Sequence, residues 1–143
     1  MNSNLQARGN AIYPDTTTDL TQAIGKLVTF TAGVPSVNGS TTVPAVGIVL
    51  DAANFATGGG NSVTHNNAIG ILGALPGPVR ALVSAASVAL SLGDTVQQAA
   101  DGTLTKDLGL GNARVVVGVC TDENGGNPGD LCEFTLFTPA IRI

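Results

Sequence analysis

The apolar residues of this chain come in short runs of four to seven, each closed by glycine, proline or an Asn/Asp turn signal. An amphipathic helix needs a 3.6-residue apolar period kept up for about 10–12 residues, whereas a strand needs only four to eight. Val28-Thr29-Phe30-Thr31 alternates apolar and polar. Val46-Gly47-Ile48-Val49-Leu50, Ile69-Gly70-Ile71-Leu72 and Val79-Arg80-Ala81-Leu82-Val83 follow, the last two flanking Pro76-Gly77-Pro78. Asp94 to Gln98 and Thr103 to Lys106 flank Asp101-Gly102, a strong hairpin signal. Arg114 to Cys120 is rich in valine. In Leu131 to Thr138, Cys132, Phe134 and Leu136 share one face and Glu133 and Thr135 the other.

The expectation is an all-β fold, a single small sandwich or barrel of about seven or eight short strands. The 19 glycines and 7 prolines agree, because both punctuate turns and weaken helix interiors. The best helical candidates, Asp19 to Ile24 and Ser84 to Leu90, are short. A length of 143 residues suits one domain, expected over 23–143. Residues 1–22 lack a period and carry Thr16-Thr17-Thr18, which reads as an extended N-terminal arm able to order on a neighbouring subunit. Two Gly-, Ser-, Thr- and Asn-rich stretches, Pro35 to Pro44 and Asn54 to Asn67, read as long contact loops.

Charge narrows the function. Only 11% of the residues are charged, against about 25–35% on the surface of a freely soluble small domain. Such a surface is covered with Thr, Ser, Asn and Gly or hidden by partners. The net charge is −4, and the six Lys and Arg form no basic cluster, so a nucleic-acid partner is not expected. The Ala68 to Leu92 stretch is broken by Pro76, Pro78 and Arg80, and Ala81 to Leu92 falls short of the roughly 20 residues that span a bilayer. The polar N-terminus shows no secretory signal, so a soluble protein made inside a cell is expected.

No constellation reads as catalytic, cofactor-binding or metal-binding, and an enzyme is not expected. His65, the one histidine, sits in Thr64-His65-Asn66-Asn67 with no Gly-x-Ser-x-Gly elbow in the chain and no carboxylate near it in sequence. Gly58-Gly59-Gly60-Asn61-Ser62 lacks the Gly-Lys-Ser/Thr ending of a phosphate loop. Asp122, Asn124 and Glu133 occupy places one, three and twelve of a calcium loop, but Asn127 stands where glycine is required and Gly126 where a ligand belongs. A hairpin loop explains the segment better. Cys120 and Cys132 flank it and read first as buried thiols, second as a cross-strand disulfide. Two thiols and a distant imidazole do not make a zinc site.

The stretch from Pro78 to Pro139 resembles the bacteriophage capsid decoration (cement) proteins. The resemblance lies in order and spacing: the Val79–Val83 strand, Gly93-Asp94-Thr95-Val96, the Asp101-Gly102 turn, Val115-Val116-Val117-Gly118-Val119 and the closing strand to Phe137. It implies a structural virion protein, assembled in the host cytoplasm, that binds the major capsid protein on the outer surface of an icosahedral head. The resemblance further implies a homotrimer that stabilises the shell; no membrane partner is expected from the broken apolar stretch. The arm over 1–22 would then order on the capsid or in the trimer. Another β-rich virion component, such as a tail or head-fibre protein, shares the same signature; an adhesin-like module or a small β-barrel enzyme fits less well.

Overall fold

The computed structural model describes residues 11–56 and 63–143. Within them the chain is all-β, with eleven strands and no helix. The first six are β1 (Ala11–Ile12), β2 (Asp15–Thr16), β3 (Leu27–Thr31), β4 (Val34–Val37), β5 (Gly47–Ala56) and β6 (Val63–Ile71). The remaining five are β7 (Val79–Leu82), β8 (Thr95–Gln98), β9 (Leu104–Lys106), β10 (Arg114–Cys120) and β11 (Leu131–Arg142).

Two antiparallel sheets form a sandwich. The first, sheet A, runs β1-β6-β5-β3-β4, with β2 also on β6. The second, sheet B, runs β7-β11-β10-β8-β9. Sheet B curls like a half-barrel. Just past β7, Val83 bridges Leu104 of β9, and Ser84 donates its backbone N–H to the Leu104 carbonyl, so the two flanks of the sheet meet.

Side-chain alternation builds the interior. Leu27, Ile48, Leu50 and Ala68 point from sheet A toward Val79, Ala81, Val96, Leu104, Val115, Val117, Phe134 and Leu136 of sheet B. With few aromatic residues available, branched aliphatics fill most of this space, and Phe134 is the largest side chain fully buried in it. The alternate residues of sheet A, Val28, Val49 and Ile69, face the other way and form a second, smaller core.

That second core is closed by Leu20 and Ala23, so the boundary expected between residues 22 and 23 falls inside packed structure. From Ala11 the chain is part of sheet A: β1 and β2 pair with β6, and Leu20 is buried. Burial of the otherwise exposed outer face of sheet A holds this stretch down, which corrects the part over 11–22 of the arm expected over 1–22. Residues 1–10 lie outside the described residues. The helix expected over Asp19 to Ile24 is a pair of turns instead. Asp19 accepts the backbone N–H of Thr21, the local bond that draws Asp out of helices, and Gly25 follows at φ 84°. Ser84 to Leu90 is likewise turns and bends, with the Ser84 hydroxyl accepting the Ala86 N–H.

The two expected contact loops are also more ordered than their composition suggests. Pro35 begins inside β4, and the rest of that stretch is held by Gln98, which is fully buried on β8. Its amide nitrogen donates to the carbonyls of Ser40 and Val43, and its oxygen accepts the N–H of Ala45. Most of Asn54 to Asn67 is the antiparallel ribbon of β5 and β6, with Asn54 opposite His65 and Asn67 opposite Ala52. Residues 57–62, and with them the whole glycine-rich motif over 58–62, lie outside the described residues.

The Asp101-Gly102 signal does make the β8–β9 turn. Gly102 sits at φ 78°, and its carbonyl accepts the N–H of Leu27 in sheet A. A Cβ there would come within 2.7 Å of Val37 and 3.0 Å of the Leu27 carbonyl oxygen, so glycine is required both for the turn and for docking one sheet on the other.

Candidate interaction surface

On sheet A the pairing of β5 with β6 sets Asn54 beside His65, and the 17–21 segment brings Asp19 alongside. Asn54 Nδ2 donates to Asp19 at 3.1 Å, which turns its carbonyl oxygen toward His65 Nδ1 at 2.8 Å and makes that nitrogen the donor. The Thr21 hydroxyl and backbone N–H, helped by Asn54, hold the Asp19 carboxyl below the usual carboxylate range. A carboxylate therefore does reach His65, through an amide, although the two lie 46 positions apart in sequence. The hydroxyl nearest in this chain of bonds, Thr21, donates to Asp19 at 2.6 Å, so it is directed away from the imidazole. What the arrangement does is tie the N-terminal segment to the β5–β6 ribbon.

The Asp122–Glu133 loop spends its carboxylates on its own backbone. Asp122 accepts the N–H groups of Asn124 and Glu133, and Asp130 accepts that of Asn127, the pattern of Asp in tight turns. Among the described residues no group of three or more His, Cys, Asp or Glu is placed to hold a metal ion. Cys120 and Cys132 are both free, buried thiols on the inner face of β10 and β11. Cys120 lies opposite Phe134, so Cys132 is its diagonal neighbour and not its direct cross-strand partner. Burial raises both thiols, Cys132 to about 11, which keeps them protonated and unreactive.

Among the polar residues at the surface stand large apolar side chains. Leu110 is 89% exposed and Ile143 80%, and Val88, Leu92, Leu108 and Ile141 are each exposed by more than half. Several of these gather at one end of sheet B. Arg114 at the start of β10 binds Asp107 through its side chain, and Arg142 lies close enough to act on the same carboxylate. This sets the Leu108–Leu110 turn beside the end of β11, with Ile141 and Ile143. Val88 and Leu108 line one shared hollow. Burial opposes ionisation of Asp107, but the Gly109 N–H and the Arg114 guanidinium outweigh it and hold the carboxyl below its usual range. The charges at this end are thus internally paired, and the leucines and isoleucines are left facing out.

The sequence reading placed contacts in the two polar loops and missed this end. A signal was available: Asp107-Leu108-Gly109-Leu110-Gly111-Asn112 puts leucines in a turn whose other positions are turn formers. Among the described residues, 35–44 is clamped, and 54–56 and 63–67 are strand. Comparison with protein-family models and with curated proteins finds no match.

Proposed function

We propose that this chain is a structural virion protein that decorates an icosahedral phage capsid, binding the major capsid protein on the outer surface as a homotrimer and stabilising the shell. The observation that carries the reading is the surface: only 11% of residues are charged, while large aliphatic side chains such as Leu110 and Ile143 stand in water. Clustered apolar exposure on a charge-poor protein marks a contact surface. A second line of support is the resemblance over Pro78 to Pro139, whose strands and turns together build sheet B. In this reading the role is mechanical, and the buried thiols and the His65 bonds serve the fold. Binding to a lattice of shell subunits would stabilise the folded chain by mass action.

The test is a mixing experiment. Purified protein is added to expanded heads that lack decoration, built from the shell protein of the same virus. Saturable co-sedimentation at a fixed number of copies per shell subunit, with heads that survive higher temperature, is expected. Absence of co-sedimentation overturns the reading. Binding to tail structures and not to heads would favour the other virion component that the sequence allows.

A further inference from the structure

Asn-Gly occurs twice in this chain, at Asn38-Gly39 and at Asn124-Gly125. The pair has a chemistry of its own. The main-chain nitrogen that follows an asparagine can attack the side-chain carbonyl carbon, and glycine, with no Cβ, leaves that nitrogen least hindered. Two other exposed asparagines lack this arrangement: Asn127 precedes Pro128, whose nitrogen carries no proton, and Asn112 precedes Ala113, whose methyl group crowds the attack. The fold treats the two Asn-Gly pairs in opposite ways.

Asn38 is 3% exposed, and both ends of its amide are held. Its Nδ2 donates to the Val43 carbonyl at 3.1 Å, and its Oδ1 accepts the Ser40 N–H at 3.1 Å. The carbonyls of Ser40 and Val43 are gripped in turn by the buried Gln98 amide. Attack at Asn38 therefore requires this whole clamp to open. Asn124 is exposed and is anchored through its main chain, whose N–H donates to the Asp122 carboxylate at 3.0 Å. The Gly125 N–H donates to the Asp122 carbonyl at 3.0 Å and closes a turn over 122–125 in which Glu123 is exposed as well. Freeing the Gly125 nitrogen means opening that turn bond. Turns at the surface open at a much lower free energy than bonds inside packed structure.

We propose that Asn124 is a site of spontaneous covalent modification, converting through a cyclic imide to aspartate and isoaspartate, while the fold shields Asn38 from the same reaction. The Gly125 nitrogen gives its proton to solvent base and bonds to the Asn124 side-chain carbonyl carbon. The bond from that carbon to the amide nitrogen breaks, and the nitrogen takes up a proton and leaves as ammonia. Water then adds to either carbonyl of the ring, and the opened ring carries a carboxylate. Nothing is oxidised or reduced, and water is the one co-reactant. Where the ring opens to isoaspartate, the main chain gains one carbon between residues 124 and 125. There is little room for it. A Cβ on Gly125 would already come within 2.1 Å of the Leu90 carbonyl oxygen. The next residue, Gly126, exchanges main-chain bonds of 2.7 and 3.0 Å with Leu90, which belongs to the main core. A longer chain here pulls on that strap, and the new carboxylate joins Asp122 and Glu123 on a chain of net charge −4. The reaction needs neither a shell nor a second copy, so it and shell binding can fail separately.

The full-length protein is aged in mildly alkaline buffer made with water enriched in heavy oxygen, digested, and read residue by residue by mass spectrometry. Residue 124 should gain a carboxyl group holding one heavy oxygen, and part of the product should be a substrate for a methyltransferase specific for isoaspartate. The rate should rise with pH, because the attacking nitrogen must lose its proton. Residue 38 should react more slowly by about tenfold or more. In concentrated urea the two positions should react at similar rates, which separates shielding by the fold from the effect of neighbouring sequence. Gln98→Leu loosens the clamp and should speed residue 38 several-fold while leaving residue 124 unchanged. Hydrogen exchange at Leu90 and Gly126 should quicken with age, and Asn124→Ser, which removes the reacting carbonyl, should abolish that change. No conversion of Asn124 in the folded protein, under conditions where it proceeds in urea, overturns the proposal. So does conversion of folded Asn38 at the same rate as Asn124.

Discussion

Sheet A and sheet B share one core but are assembled in different ways. Sheet B is drawn from one contiguous stretch of chain, Val79 to Arg142, with glycine turns between short strands, and its flanks meet through Val83 and Leu104. Sheet A is likewise one stretch of chain, Ala11 to Ile71, with β1 and β2 on β6 as β7 is on β11, but its outer face needs Leu20 and Ala23 to cover it. One sheet is largely closed by its own strands. The other depends on a segment of irregular chain. The difference teaches that hydrophobic alternation describes a layer's inner face well and says little about what shields its outer one.

The largest effect that tests this contrast is expected from Phe134→Ala. It empties the centre of the shared core and should cost about 3–5 kcal/mol, read from the urea midpoint, with both sheets lost together. Leu20→Ala removes the cover from sheet A alone and should cost about 2–3 kcal/mol. Hydrogen exchange should then quicken in β1, β2 and β6 well before β10 and β11. Equal quickening in both sheets would break the comparison and make the cover part of a single cooperative unit. Gln98→Leu leaves the Ala45 N–H and the carbonyls of Ser40 and Val43 without their partner, a loss of about 1–3 kcal/mol. Its exchange signature should stay within residues 38–46.

The smallest effect is acidic. Asp94 is held low by the Ser91 N–H and by Lys106, and Asp107 by Gly109 and Arg114 against the opposing effect of burial. Both bind a proton less readily folded than unfolded, so their contribution is complete above the ordinary carboxylate value of 3.8 and disappears as pH falls through the lower folded values. Because both carboxylates keep contact with solvent, with side chains 20% and 19% exposed, the midpoint should drop only modestly between about pH 4 and pH 2. Asp107→Asn should flatten part of that drop, and an unchanged slope would show that Arg114 does not depend on the pair.

Sheet B was legible because each of its strands carries its own period and its own stop. Arg114 to Cys120 was read with the bounds it has, and Asp101-Gly102 marked its turn. The ends of β11 and β5 were not legible: both strands run on through mostly polar or small residues with no clear alternation, Thr138 to Arg142 and Asp51 to Ala56, whose place is fixed by their neighbours. Nor was β4, where Pro35 speaks against a strand; it is tolerated because β4 is an edge with no strand beyond it. The His65–Asn54–Asp19 bonds were invisible for a different reason. They join residues whose nearness is created only by the pairing of β5 with β6. The exposed leucines at 108 and 110 stood in plain view, but composition directed attention to polar loops.

The edges have a practical consequence for how such a chain behaves when concentrated. A protein with few charges cannot rely on mutual repulsion to stay dispersed. The strands facing outward here are poor templates for growth. β1 and β2 are two residues each, and β4 carries a proline. At high concentration, then, the molecules should meet side chain to side chain through leucine and isoleucine contacts that salt and temperature can reverse, and not zip backbone to backbone into fibrils.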